Sequence, residues 1–298
     1  MVNITGKLKG TLYALLCVVL WGLIPVVSKM GQTNLNNHQF LFWSSLISFS
    51  VLLLSVVITG NLNSFKENSI KDWAVLSILG LLGTYFYYLF LYLGYSKASG
   101  MEVLVVQYTW PILIVVFSFF ILQEPFTLKK MIAIILGFSG VALVLTKGEL
   151  QSIDIKSGTV IALVGAGAAC FALFSVLSKK IKKEPLSVVT VYFFVATVAS
   201  FISMLGYSEF LVPSKSEVIP IVLNGVLVNG FSYVFWFLAL KSTEASYLAP
   251  ITYISPILSA LYLIIFFNEP FYSVYAYGLL LVVLGGLINS INFKNPNK

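Results

Sequence analysis

Arginine occurs nowhere in this chain, histidine once and aspartate twice. Without arginine there is no bidentate guanidinium to clamp a phosphate or carboxylate. The two aspartates, Asp72 and Asp154, fall in polar breaks between apolar runs, so they offer no paired-carboxylate site to an intramembrane hydrolase. The only cysteines, Cys17 and Cys170, each lie inside an apolar run. That excludes a disulfide framework and a CxxC metal or redox pair, and both read as packing residues. His38 stands alone in a polar stretch and reads as a solvated loop residue. HExxH, GxSxG and GxxxxGK[ST] are absent, so zinc hydrolysis, a serine nucleophile and ATP hydrolysis by this chain are not expected. Neither a metal nor a cofactor is expected.

Charge is scarce too. Charged residues make up 10% of the 298 positions and hydrophobic residues 59%, with a mean hydropathy of +0.96, whereas soluble domains carry roughly 25% charged residues. A chain this apolar cannot cover a globular core with polar surface, so its solvent is a bilayer. Ten runs are long and apolar enough to span one: 9–29, 39–60, 73–96, 101–122, 129–147, 158–178, 187–206, 218–240, 246–267 and 273–292. The expected fold is all-α, an integral membrane protein of ten transmembrane helices. The first run follows Lys7 and Lys9 as a signal peptide would, but Trp21, Pro25 and the lack of a small-residue cleavage site make it a retained span.

The net charge of +7 does not imply nucleic acid here, because lysines flanking spans set orientation. With alternating loops, the side of the N-terminus receives Lys7, Lys9, Lys66, Lys71, Lys129, Lys130, Lys179, Lys180, Lys182, Lys183, Lys241, Lys294 and Lys298. The other side keeps Lys29, Lys97, Lys147, Lys156 and Lys215. This asymmetry predicts a multi-pass protein of the cytoplasmic membrane with both termini in the cytoplasm.

The chain also repeats itself. Gln123-Glu124-Pro125-Phe126 returns as Asn268-Glu269-Pro270-Phe271, 145 residues later. The same shift puts Gly80 on Gly225, Tyr88 on Tyr233, Tyr108 on Tyr253, Pro111 on Pro256 and Gly140 on Gly285. This is a duplication of five spans per half, 1–150 and 151–298. Five is odd, so the second copy enters the membrane from the opposite side, and inverted halves give a protein two related conformations, one open to each face. For Glu124 and Glu269 two roles are open: capping the helix that the following proline begins, or latching a gate.

Several of these features converge on one family. The length, the ten spans in two inverted halves, "LWG" with Pro25 and Lys29 in the first span, "WPILIVVFSFFILQEPFT" closing the fourth and "SPILSALYLIIFFNEPF" closing the ninth resemble the EamA-type transporters of the drug/metabolite transporter superfamily. "MEVLVVQYTWP" from Met101 also resembles the fourth span of aromatic amino acid exporters in that family. The resemblance implies a secondary transporter without enzymatic activity. It also implies a cavity between the third, fourth, eighth and ninth spans, the first and sixth beside it, and the fifth and tenth packing the halves together.

Polar and aromatic groups at mid-span are costly unless they face protein or water. On that ground the candidate substrate-binding residues are Thr84 and Tyr88 in the third span, and Gln107, Tyr108 and Trp110 in the fourth. Asn229, Tyr233 and Trp236 in the eighth and Thr252 and Tyr253 in the ninth complete the set. Trp21 and Trp43 are open between lining a vestibule and packing. Glycines such as Gly137, Gly140, Gly165, Gly167, Gly285 and Gly286 read as helix-contact positions. No carboxylate falls at mid-membrane, so a fixed cation site is not expected. An aromatic, weakly polar cavity suits a small amphipathic metabolite. An amino acid is the favoured solute, with an organic amine held by cation–π contacts as the alternative and a channel as a further one. Export follows from the resemblance alone. Glu102 in the first turn of the fourth span is the candidate for proton coupling, capping that helix being its other role. The expected partners are the solute, the bilayer and, through Glu102, protons; a monomer suffices.

Overall fold

A computed structural model describes residues 4–95, 100–149, 151, 158–268 and 270–290. Among them the regular structure is helical, and nine helical spans are long and apolar enough to cross a membrane, the tenth, Val274–Asn289, being shorter. Polar residues start these spans where the apolar runs begin. Asn36 accepts hydrogen bonds from the His38 and Gln39 backbone N–H groups at 3.0 and 3.1 Å, and Gln39 Oε1 accepts from Asn36 at 2.7 Å, a reciprocal cap on Asn37–Ile58. Ser69 with Asp72 and Ser214 with Glu217 form the same box at the third and eighth spans. Glu184 precedes Pro185 and accepts from Leu186 and Ser187 at 3.0 and 2.6 Å, so in this Glu-Pro pair the carboxylate caps its own helix.

The sequence reading gives ten uninterrupted helices; five of the spans are in fact broken. The first consists of Ile4–Trp21 and Ile24–Gly31, separated at Gly22 and Leu23 ahead of Pro25. The third winds as a π-helix over Leu81–Phe86, and the eighth over Asn224–Phe231. Trp110 resumes the fourth span after Gly100–Gln107, and the ninth passes through a 3-10 segment, Ala249–Tyr253, before Ile254–Phe267. Prolines at 25, 111 and 250 account for three of the breaks, since each lacks the N–H that continues the hydrogen-bond ladder. The π-turns carry no comparable sequence signal. His38 also departs from expectation: because the second helix starts at Asn37, its ring reaches Ser203 Oγ at 3.2 Å and stacks on Tyr207 rather than standing in solvent.

Local geometry recurs at the 145-residue shift. Gln123 and Asn268 both adopt left-handed backbone, with φ of 55° and 53°, and end the fourth and ninth spans. Packing recurs likewise: the fifth span lies along the tenth and the second along the seventh, while the first contacts the eighth as the sixth contacts the third. At the fifth–tenth seam a Cβ on Gly140 would stand 2.6 Å from the Gly278 carbonyl oxygen, and one on Gly285 2.9 Å from that of Ala133. These are close backbone approaches that only small residues permit. Gly286 and Gly165, expected to serve the same purpose, face open space.

Candidate functional site

The break in the first span sets a tryptophan at the centre of the molecule. Trp21 ends the first helical segment, and its ring is surrounded by Trp110, Phe171, Tyr233 and Trp236 at centroid distances of 6.0, 5.7, 6.2 and 5.5 Å. Two of the buried indole N–H groups find side-chain acceptors. Trp21 Nε1 donates to Ser232 Oγ at 2.9 Å, and Trp236 Nε1 donates to Ser175 Oγ at 3.0 Å. Tyr88 Oη donates to Asn229 Oδ1 at 3.1 Å, and Tyr233 Oη to the Gly83 carbonyl at 3.1 Å, within the π-helical stretch of the third span. These rings close a floor across the bundle.

On one side of that floor is a cavity of about 420 Å³. Trp21, Tyr88, Gln107 and Tyr108 line its deeper part and also line the narrower space beneath it that Trp110, Phe171 and Tyr233 bound. Following the first span outward from Trp21, Ser28, Lys29 and Gln32 come next along the wall, with Asn37 beyond them, so the mouth is at the end away from the N-terminal residues. Lys29 Nζ stands 4.2 Å from the centroid of the Phe267 ring. Gln107 is 8% exposed; its Nε2 donates to Tyr87 Oη at 2.6 Å, while Oε1 has no hydrogen-bond partner among the described residues.

On the other side of the floor the bundle is shut by a buried polar cluster. Glu124 is 7% exposed, and its carboxylate accepts the backbone N–H groups of Ala245 and Ser246, each at 2.9 Å, together with the Ser246 hydroxyl at 2.5 Å. Lys130, 3% exposed, donates to Glu244 Oε2 at 2.6 Å, Ser246 Oγ at 2.7 Å and the Pro125 carbonyl at 2.9 Å. Lys179 donates to the carbonyls of Leu240 and Thr243, the last turn of the eighth span, and lies 3.9 Å from Glu124. Burial pulls the Lys179 ammonium below its ordinary pKa, and the Glu124 and Glu244 carboxylates push it back up. Three interhelical connections are joined at this end.

Of the residues expected in the cavity, Tyr88, Gln107, Tyr108, Trp110 and Tyr233 are there. The other five are packed elsewhere. Thr84 Oγ1 donates to the Gly80 and Tyr192 carbonyls, toward the seventh span. Asn229 lies behind Tyr88, and Trp236 behind Trp21. Thr252 donates to its own 3-10 segment at Ala249, and the Tyr253 ring covers Gly137 of the fifth span. The cap anticipated at Glu124 exists, but on a helix 121 residues away; Leu128–Leu145, the helix just after it, starts without a side-chain cap. Glu269 and the Glu102 side chain lie outside the described residues. Sequence reasoning missed Lys29, Gln32 and Asn37, having treated them as loop or flanking residues, although Pro25 marks the break that carries the first two to the mouth. Nothing in the sequence singled out Phe171. Among the described residues no group of three His, Cys, Asp or Glu side chains stands together to hold a metal.

Comparison with known proteins bears on this arrangement. The profile of the EamA-like transporter family matches residues 8–146 and again 158–291. An S-adenosylmethionine uptake transporter of Rickettsia prowazekii is 27% identical over 267 residues, covering 88% of this chain and 85% of its own. The aromatic amino acid exporter YddG of Ancylobacter novellus is 25% identical over 197 residues, 65% of this chain and 68% of its own. An uncharacterized transporter of Archaeoglobus fulgidus is 24% identical over 88% of this chain and 90% of its own. One solved crystal structure superposes with a TM-score of 0.84 over 94% of this chain and 97% of that one at 20% identity, a likeness of fold alone.

Proposed function

Because this chain belongs to the EamA-like transporter family, matched in both halves of its length, we propose that it is a secondary transporter. In this reading it exports a small amphipathic metabolite, an amino acid, across the cytoplasmic membrane. The observation that carries the reading is the cavity of about 420 Å³, open at one end and closed at the other by the Glu124 cluster. That volume matches a small-molecule site, and a path blocked at one end is what alternating access requires of each of its states. The halves 1–150 and 151–298 act as inverted repeats that rock about the floor at Trp21, and the recurrence of left-handed caps and contacts at the 145-residue shift supports this. With both termini in the cytoplasm, as the lysine asymmetry favours, this conformation faces outward.

The solute reading rests on the lining. Lys29 brings a positive charge to the mouth and Trp21, Tyr88 and Tyr108 bring rings to the wall. A carboxylate-bearing solute with an apolar body meets both, whereas an organic amine meets the rings alone. The two named relatives above act on an aromatic amino acid and on S-adenosylmethionine, and both solutes carry an α-ammonium and an α-carboxylate. Their names point in opposite directions of transport; export is favoured here by the amino acid exporter. Counterflow in proteoliposomes tests the proposal. Preloaded phenylalanine or leucine is expected to drive saturable accumulation of labelled amino acid. Absence of counterflow by amino acids alongside counterflow by quaternary amines would replace the solute, and conductance far above carrier turnover would replace the mechanism.

A further inference from the structure

Gln107 is the last residue of the helix Gly100–Gln107, and the helix resumes only at Trp110. Pro111, four residues on, has no N–H to give the Gln107 carbonyl, so the helical donor to that oxygen is missing. The side chain adds a second acceptor at the same level. Its Nε2 is spent on Tyr87 Oη at 2.6 Å, which fixes the amide plane, and Oε1, in a residue 8% exposed, is left buried with no partner among the described residues. Buried polar atoms without partners are scarce in folded proteins, and one that persists invites a ligand or a water as explanation. Here the atom belongs to a residue lining both the main cavity and the space beneath it. Its counterpart at the 145-residue shift, Thr252, donates to the Ala249 carbonyl of its own segment and lines neither space, so only one half of the protein brings this acceptor to the cavity.

The same cavity carries its cation at the other end, because Lys29 lies about 1.4 turns beyond Ile24, about 7.5 Å along the helix. Acceptor at depth, ammonium toward the mouth and rings between them make a dipolar site. We propose that Gln107 determines specificity by accepting a hydrogen bond from the solute's ammonium through Oε1, while Lys29 takes its carboxylate. The class recognised is then a zwitterion with an apolar body. The assignment rests on reading this cavity as the transport site. A site built around a hydrogen bond discriminates strongly against a ligand that cannot make it, since the buried acceptor is then left unpaired.

The test is binding to purified protein in nanodiscs of three matched probes: L-phenylalanine, 3-phenylpropanoate without the ammonium, and phenethylamine without the carboxylate. Wild type is expected to bind phenylalanine at least about tenfold more tightly than either fragment. Gln107→Met is expected to weaken phenylalanine and phenethylamine about tenfold and leave 3-phenylpropanoate unchanged, and Gln107→Glu, which keeps an acceptor, to restore phenylalanine. Equal weakening of all three probes by Gln107→Met, or no weakening of phenylalanine, overturns the role of Gln107 while leaving the transporter reading intact. Failure of wild type to bind any of the three overturns this assignment and the amino acid reading together.

Discussion

Glu124 Oε2 accepts both the backbone N–H of Ser246, at 2.9 Å, and its hydroxyl, at 2.5 Å, across 122 residues of sequence. The carboxylate belongs to the loop after the fourth span and the amides to the first turn of the ninth, so one side chain both caps a helix and ties two halves of the chain. The left-handed Gln123 just before it costs roughly 1 kcal/mol that glycine would not. That turn ends the fourth span immediately before Glu124.

Glu124→Gln is therefore expected to leave a folded protein whose closed end opens more often. An amide keeps one acceptor but sets its NH2 against an N–H donor, a loss of about 1–2 kcal/mol, or roughly tenfold in population. Spin labels at Lys129 and Lys180 would report it as a larger long-distance fraction. A collapse in thermal stability with unchanged distances would mean a cap and nothing more.

Lys130→Met leaves Glu244 without its 2.6 Å partner. The expected cost is about 2 kcal/mol, discounted because Glu244 is partly open to water. Adding Glu244→Gln should regain part of that loss. A double-mutant cycle on melting temperature measures the coupling, and strictly additive losses would show the pair to be energetically independent.

The seam between the fifth and tenth spans is sensitive to a single methyl group. Gly140→Ala is expected to destabilise by about 1–3 kcal/mol, because its Cβ would stand 2.6 Å from the Gly278 carbonyl oxygen. Gly286→Ala, in open space, is expected to change stability by no more than about 0.5 kcal/mol. Fluorescence-detected melting of the two variants side by side separates the cases.

Orientation is checked by labelling in a background carrying Cys17→Ala and Cys170→Ala. A membrane-impermeant maleimide added to intact cells is expected to modify Thr33→Cys, beside the mouth, and to leave Lys180→Cys untouched until the cells are broken. The reverse pattern would place the mouth in the cytoplasm and the Glu124 cluster outside.

Much was legible in the residues by themselves. Span number and the doubled motif follow from runs of apolar side chains and from spacing, which are local properties of the chain. So does the preference for a bilayer. The breaks at Pro25, Pro111 and Pro250 follow from missing N–H groups, but the apolar runs that cross them read as continuous spans. Tyr88, Gln107, Tyr108, Trp110 and Tyr233 could be nominated because a polar group at mid-span needs a reason to be there.

What the chain could not announce is which groups meet. Glu184 and Glu124 each precede a proline, yet the first caps its own helix and the second a helix in the other half. Thr84 and Gln107 were equally good candidates until packing bound one to Tyr192 and left the other's oxygen beside a cavity. Hydrophobicity is summed along a segment and so can be read from it. A hydrogen bond depends on position and direction between segments, and only the assembled bundle supplies those.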